Sequence, residues 1–190
     1  VMDTVAEMGI RNLTVNASSL LDVHLPIIDH IKNGVVTAIE TNYIAPKLGC
    51  EISKGILEKP VIFRSHGGRA GAIDTGVSSI DVAFLAASCA DCMGNCTGQL
   101  GVSAFGSIGY AIPDALHANK VVVITDTLAP YPLTQRSISE VYVDHVVTVP
   151  SIGDPAGIVS GTTKMPRAPI ALMIADLAAK AIAASGLLQD

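Results

Sequence analysis

The chain has 190 residues, 49% hydrophobic but only 4% aromatic, with no Trp, and a formal charge of −5. That length suits one domain with a sizeable core of Ala, Val, Ile and Leu, as in helices packed on a sheet buried on both faces. The acidic balance, without a basic patch or arginine run, excludes a nucleic-acid partner, and four cysteines, three of them clustered, suit a reducing, cytoplasmic compartment better than a disulfide framework.

The first seven residues carry acids, Asp3 and Glu7, where a secretory leader needs a basic region. The first β-branched run is Leu13-Thr14-Val15. Residues 25–32 form a helical pattern through Leu25, Ile27, Ile28 and Ile31, closed by Gly34 as a C-cap. A strand over 35–41 follows, then a helix over 46–57 that starts on Pro46 and aligns Leu48, Ile52 and Ile56. Glu40 is the one glutamate near the end of a strand.

A third strand, Val61-Ile62-Phe63, empties into Arg64-Ser65-His66-Gly67-Gly68-Arg69-Ala70-Gly71. Adjacent glycines bare backbone N–H groups, and two arginines with a histidine beside them suit an anion such as a carboxylate or phosphate. A tight turn with surface arginines is the plain alternative, since the segment is neither a P-loop nor G-x-G-x-x-G.

The fourth strand, 82–87, leads into a stretch over 88–110 that holds Cys89, Cys92 and Cys96 and five glycines. The cysteine spacing invites a zinc or iron–sulfur reading, but no convincing fourth ligand is present: Cys50 lies in a helix. No metal is therefore expected, and the cysteines read as packing residues. Gly94-Asn95 is a turn pair, and Gly106-Ser107 leads toward a helix over 111–118 whose N-terminus could face an anion. A fifth strand over 121–125, a connection stiffened by Pro130 and Pro132, a sixth strand over 143–149 and a final helix over 169–185 complete the chain. The apolar stretch 170–188 is interrupted by Asp176 and Lys180 at i,i+4, which fits a soluble amphipathic helix and not a membrane span. His24, His30, His117 and His145 read as structural or surface residues. No G-x-S-x-G nucleophile elbow occurs.

Near-continuous apolar strands alternating with helices predict an α/β fold: an open, parallel-type sheet covered by helices on both faces, as a single domain over 1–190. Ligands of such folds bind beyond the carboxyl ends of the strands.

Several blocks then resemble one family in collinear order. They are His30-Ile31-Lys32-Asn33-Gly34-Val35-Val36, Lys47-Leu48-Gly49, Ser65-His66-Gly67-Gly68-Arg69 and Ile80-Asp81-Val82-Ala83-Phe84-Leu85. Asp91-x-x-Gly94-Asn95-x-x-Gly98, Gly106-Ser107-Ile108-Gly109-Tyr110-Ala111 and Val149-x-x-x-Gly153-Asp154-Pro155 follow. Together they resemble the alpha subunit of citrate lyase. The resemblance implies a CoA-transferase-like fold and the first half of a longer two-domain subunit. It implies exchange of acetate for citrate on a thioester, with acetyl-CoA or a phosphopantetheine-type thioester as co-substrate and no tightly bound cofactor. Citrate, an acyl carrier (gamma) subunit and a citryl-lyase (beta) subunit are the implied partners, within a homo-oligomeric complex.

The substrate-binding residues expected on this basis are Ser65, His66, Gly67, Gly68, Arg69, Asn95, Gly98, Gly106 and Ser107. Arg69 is the first choice for a carboxylate clamp, His66 a donor beside it, and the N–H groups of Gly67, Gly68, Gly106 and Ser107 further donors. The catalytic carboxylate is expected beyond Asp190. Family members often carry an acid at the position of Cys92, so the cysteines are not needed for the activity. A sugar-phosphate isomerase or sugar-phosphate-binding domain on a similar sheet is the alternative, with the 65–69 loop holding a phosphate.

Overall fold

In the computed structural model, which describes residues 1–154, 156 and 167–186, a short helix α1 (Met2–Glu7) precedes the strand β1 (Leu13–Leu20). Helix α2 (Ile27–Lys32) buries Ile27, Ile28 and Ile31 and turns through Gly34 into β2 (Val36–Ile44). Pro46 opens α3 (Pro46–Ile52), which buries Leu48 and Ile52. Then come β3 (Ile62–Phe63) and α4 (His66–Asp74). The next elements are β4 (Val82–Ala87), β5 (Cys89–Asp91), β6 (Cys96–Thr97), α5 (Ile112–His117), β7 (Lys120–Thr125), β8 (Leu128–Ala129) and β9 (His145–Thr148). A helix α6 (Pro169–Ala184) follows. The contacts divide the chain into two compact units, Val1–Gly153 and Asp154–Asp190, and the α/β domain is the first. Pro155 of the last family-like block lies outside the described residues.

The α/β class and the parallel strands are as the sequence predicts, but the strands are shared among three sheets. β1-β2-β3 and β4-β7-β9 are each wholly parallel, and β6-β5-β8 is mixed, with β5 antiparallel to β6 and parallel to β8. The central strand β2 is buried over its first six residues, which include Val36, Ala38 and Ile39. It packs with Leu20, Ile28, Ile31, Leu48 and Ile52 into one core. A second core gathers Ala83, Leu85, Val121 and Val123 with Ile73, Ile108, Ala115 and Ile138. In the first unit the β4 side chains alternate: Ala83 and Leu85 are inside, whereas Val82 and Phe84 are exposed.

One expectation about local structure is corrected and another extended. The segment after β3 is not an open glycine loop: α4 starts at His66, because Ser65 adopts extended backbone and its Oγ accepts the N–H of Gly68 at 3.0 Å. That is an N-cap, and it outweighs the poor helix propensity of two glycines in the first turn. The cysteine-bearing stretch is more than the turn that Gly94-Asn95 announces: it is a hairpin, β5 to β6, in which Cys96 belongs to the second core.

Candidate functional site

The carboxyl ends of β2 and β3 and the start of α4 bring one group of polar side chains together. Arg64, the first residue after β3, donates its Nε–H to Glu40 of β2. Glu40 is 7% exposed and also accepts the hydroxyl of Ser78 at 2.6 Å. A carboxylate so held fixes the guanidinium plane, and a quarter of the Arg64 side chain stays accessible (25%). The two Nη groups of Arg64 have no protein partner among the described residues, so they offer a paired fork.

Two residues on, the His66 ring packs against Tyr110 with centroids 4.9 Å apart and planes tilted by 46°. This is a favourable aromatic arrangement. His66 Nδ1 lies 2.9 Å from the side-chain amide of Asn42, in β2. The His66–Tyr110 contact joins the 65–69 segment to the 106–111 segment, two of the blocks that the sequence marks for binding. The N–H groups of Gly67 and Ser107 have no protein partner among the described residues, and Ser107 is exposed. The Gly67 N–H opens the first turn of α4, where partial positive charge collects.

The other expected residues have structural partners. Arg69 is corrected: it is not a free carboxylate clamp. Its side chain is only 5% exposed, with Nη1 and Nη2 donating to Asp114 of α5 at 2.9 and 2.7 Å and Nε donating to Asn16 of β1 at 2.8 Å. It ties α4, β1 and α5 together. The Gly68 N–H is taken by the Ser65 cap, and the Gly106 N–H donates to Gly98 O at 2.9 Å, so neither is available as an oxyanion donor in this conformation.

Gly98 lies where a Cβ would collide with the carbonyl oxygen of Gly106 and with the Phe105 ring at 2.6 Å, and Gly106 itself takes a positive φ of 106°. These two glycines shape the turn that carries Ser107. Asn95 is buried. It donates to Asp91 and Glu140 at 2.8 and 2.6 Å and accepts the Glu140 N–H at 3.1 Å.

Asp91 organises the hairpin. Burial pushes its carboxyl up, but the Leu133 N–H, the Asn95 side chain and the N–H groups of Met93 and Asn95 outweigh that and hold it below the ordinary value. Burial pushes the Cys96 thiol up to about 12, helped by the charge of Asp91, and burial raises Cys89 in the same direction. Cys92 and Cys50 are exposed. Among the described residues no three His, Cys, Asp or Glu side chains are grouped to hold a metal ion. No described helix is long and apolar enough to cross a membrane.

Asn42, Asp114 and Asn16 were not marked by sequence, and Tyr110 was marked only as part of the 106–111 block. A lone amide near the carboxyl end of an apolar strand was the available signal for Asn42.

Comparison with known proteins identifies the family and the fold. The model of the citrate lyase alpha subunit (CitF) family matches residues 1–190. The chain is 46% identical over 190 residues to the citrate lyase alpha chain of Haemophilus influenzae, covering all of this chain and 38% of that one. It is 45% identical to the Escherichia coli K12 chain, covering 37% of it. It thus spans under two fifths of the length of the curated relatives it matches.

The structure of a citrate lyase alpha subunit from Streptococcus mutans in complex with citrate superposes with a TM-score of 0.88 at 52% identity, over 96% of this chain and 36% of that one. Glutaconate coenzyme A-transferase from Acidaminococcus fermentans, at 16% identity and a TM-score of 0.60 over 78% of this chain and 65% of that one, shares the fold. The sugar-phosphate alternative is not favoured. A family match from the first residue to the last, with relatives near half identical throughout, means that the chain belongs to the citrate lyase alpha subunit family.

Proposed function

We propose that this chain supplies the carboxylate-binding part of a citrate:acetyl-thioester transferase. One citrate carboxylate attacks the thioester carbonyl of acetyl-CoA or of an acetyl group on a phosphopantetheine-type arm, the thiolate leaves, and a mixed citryl–acetyl anhydride forms. The thiolate then attacks the citryl carbonyl of that anhydride, acetate leaves, and citryl-thioester forms. The carrier (gamma) and citryl-lyase (beta) subunits act before and after this step within a homo-oligomeric complex, no cofactor is tightly bound, and the catalytic carboxylate lies beyond Asp190.

The observation that carries this reading is the Arg64 fork, oriented by Glu40 and followed directly by His66 and the start of α4. Citrate brings about three negative charges at neutral pH. A guanidinium whose two Nη groups have no partner among the described residues matches a carboxylate in shape as well as sign. The thioester oxygen that gains charge needs preorganised donors. The Gly67 and Ser107 N–H groups and His66 are those on hand. Water must be kept out so that the thioester is not hydrolysed. The citrate held by the Streptococcus mutans relative supports the choice of ligand.

Arg64→Ala in the full-length subunit is expected to raise the KM for citrate roughly tenfold or more, the size of one lost charge-assisted hydrogen-bonded pair. The KM for the acetyl donor should stay nearly unchanged, and Arg64→Lys should recover part of the loss. An unchanged citrate KM overturns the role of Arg64. Absence of citrate-dependent exchange in the unaltered subunit overturns the transferase reading.

A further inference from the structure

We infer that Asn42 fixes the tautomer of His66, so that the imidazole presents Nε2–H outward as a hydrogen-bond donor and cannot serve as a base from that face. The inference rests on the transferase reading only for the use to which the donor is put. The tautomer itself follows from the local chemistry.

The two side chains meet at 2.9 Å, His66 Nδ1 against the amide of Asn42. A neutral imidazole carries one proton, and the nitrogen without it accepts. The question is which end of the amide faces the ring. With Nδ2 toward His66, the amide donates to Nδ1, and the atom left over is Oδ1, which is buried and has no hydrogen-bond partner among the described residues. With the amide turned over, Oδ1 would accept from Nδ1–H, and the buried position would instead receive an NH2 group, which brings two donors that each need an acceptor. A buried carbonyl oxygen lacking a partner is the more tolerable of the two, since two orphaned donors cost more than one under-used acceptor. The amide therefore donates, Nδ1 accepts, and the proton sits on Nε2.

Two contacts favour this ring position. His66 is the first residue of α4, behind the Ser65 cap, and its ring packs against that of Tyr110 with centroids 4.9 Å apart. Nε2 has no partner in the protein among the described residues, and His66 is exposed, so its N–H is free for a ligand oxygen. In the proposed reaction that oxygen is a citrate carboxylate or the thioester oxygen as it gains charge. A fixed N–H donor serves either without giving up its proton. Asn42 is thus a positioning residue and Tyr110 a second support.

The test is a long-range 15N–1H correlation spectrum of the full-length subunit labelled at histidine, recorded where imidazole is neutral, with His66 assigned by its loss in His66→Gln. The expected pattern is a protonated Nε2 and a bare Nδ1. Asn42→Asp replaces the donor with a carboxylate that accepts, so the proton should move to Nδ1 and kcat should fall roughly 10²-fold, the cost of one lost oxyanion-type donor. His66→Gln, whose amide N–H can stand near Nε2, should keep more activity than His66→Asn, which places its amide near Nδ1. A proton on Nδ1 of the unaltered protein overturns the inference, as does an Asn42→Asp variant with unchanged spectrum and rate. Failure of citrate exchange with the expected spectrum overturns the transferase reading alone.

Discussion

Arg69 and Arg64 lie five residues apart and look interchangeable in sequence, yet burial separates their roles. Arg69 is closed in by Asp114 and Asn16, while Arg64 gives only one nitrogen to Glu40. Arg69→Ala should therefore act on the fold, because it strands the Asp114 side chain, 9% exposed, without its partner. A loss of about 3–5 kcal/mol is expected in denaturant unfolding. Removing both ends, as Arg69→Met with Asp114→Leu, should cost less than the single change, since no charge is then left buried alone. Equal stability of Arg69→Ala and the unaltered chain would mean that the pair does not hold α4 to α5. Sequence marked the 64–69 segment as important and could not rank its arginines. Which guanidinium meets Asp114 depends on how a helix 45 residues further on is packed.

At the scale of elements, periodicity carried well where apolar spacing is unambiguous. Residues 46–57 illustrate the limit: the helix stops at Ile52, and the chain turns through Gly55 at a φ of 78°. The glycine pair after β3 read as open loop because its helix depends on one side-chain hydrogen bond, from Ser65. The hairpin between β5 and β6 was legible only as a turn. Its hub, Asp91, accepts from Met93, Gly94 and Asn95 in the turn and from Leu133 far along the chain, and no local pattern reveals the last.

That hub makes a pH prediction. The folded-state pKa of Asp91 lies below its unfolded value of about 3.9. Its contribution to stability is thus complete above that value and is lost as pH falls through the folded one. Asp91→Asn should be less stable than the unaltered chain at neutral pH, and its stability should fall less steeply below about pH 4. Equal acid slopes in the two proteins would remove Asp91 from the linkage.

For the molecule as a whole, the apolar pattern of the strands says more than the described contacts use. Residues 82–87 are apolar on both faces, as strands are when both sides of a parallel sheet are covered. In the first unit only one side is: Val82 is 48% exposed, Phe84 51% and, on β9, Val147 44%. In the second unit α6 is apolar nearly all round, with Ile170, Leu172, Met173, Ile174, Leu177 and Ile182 exposed and only the Asp176–Lys180 pair clearly polar. A helix of that kind is ordinarily buried.

Exposed apolar surface of this extent marks contact faces, and the relatives are more than twice as long as this chain. The 190-residue chain alone should therefore bind a hydrophobic dye such as ANS and associate with rising concentration in sedimentation experiments. Phe84→Ser should reduce both effects, and the full-length subunit should bind less dye per chain. A monomeric, dye-silent 190-residue chain would show that these faces are satisfied within it, and that the unbroken apolar run of β4 answers to packing inside the first 190 residues.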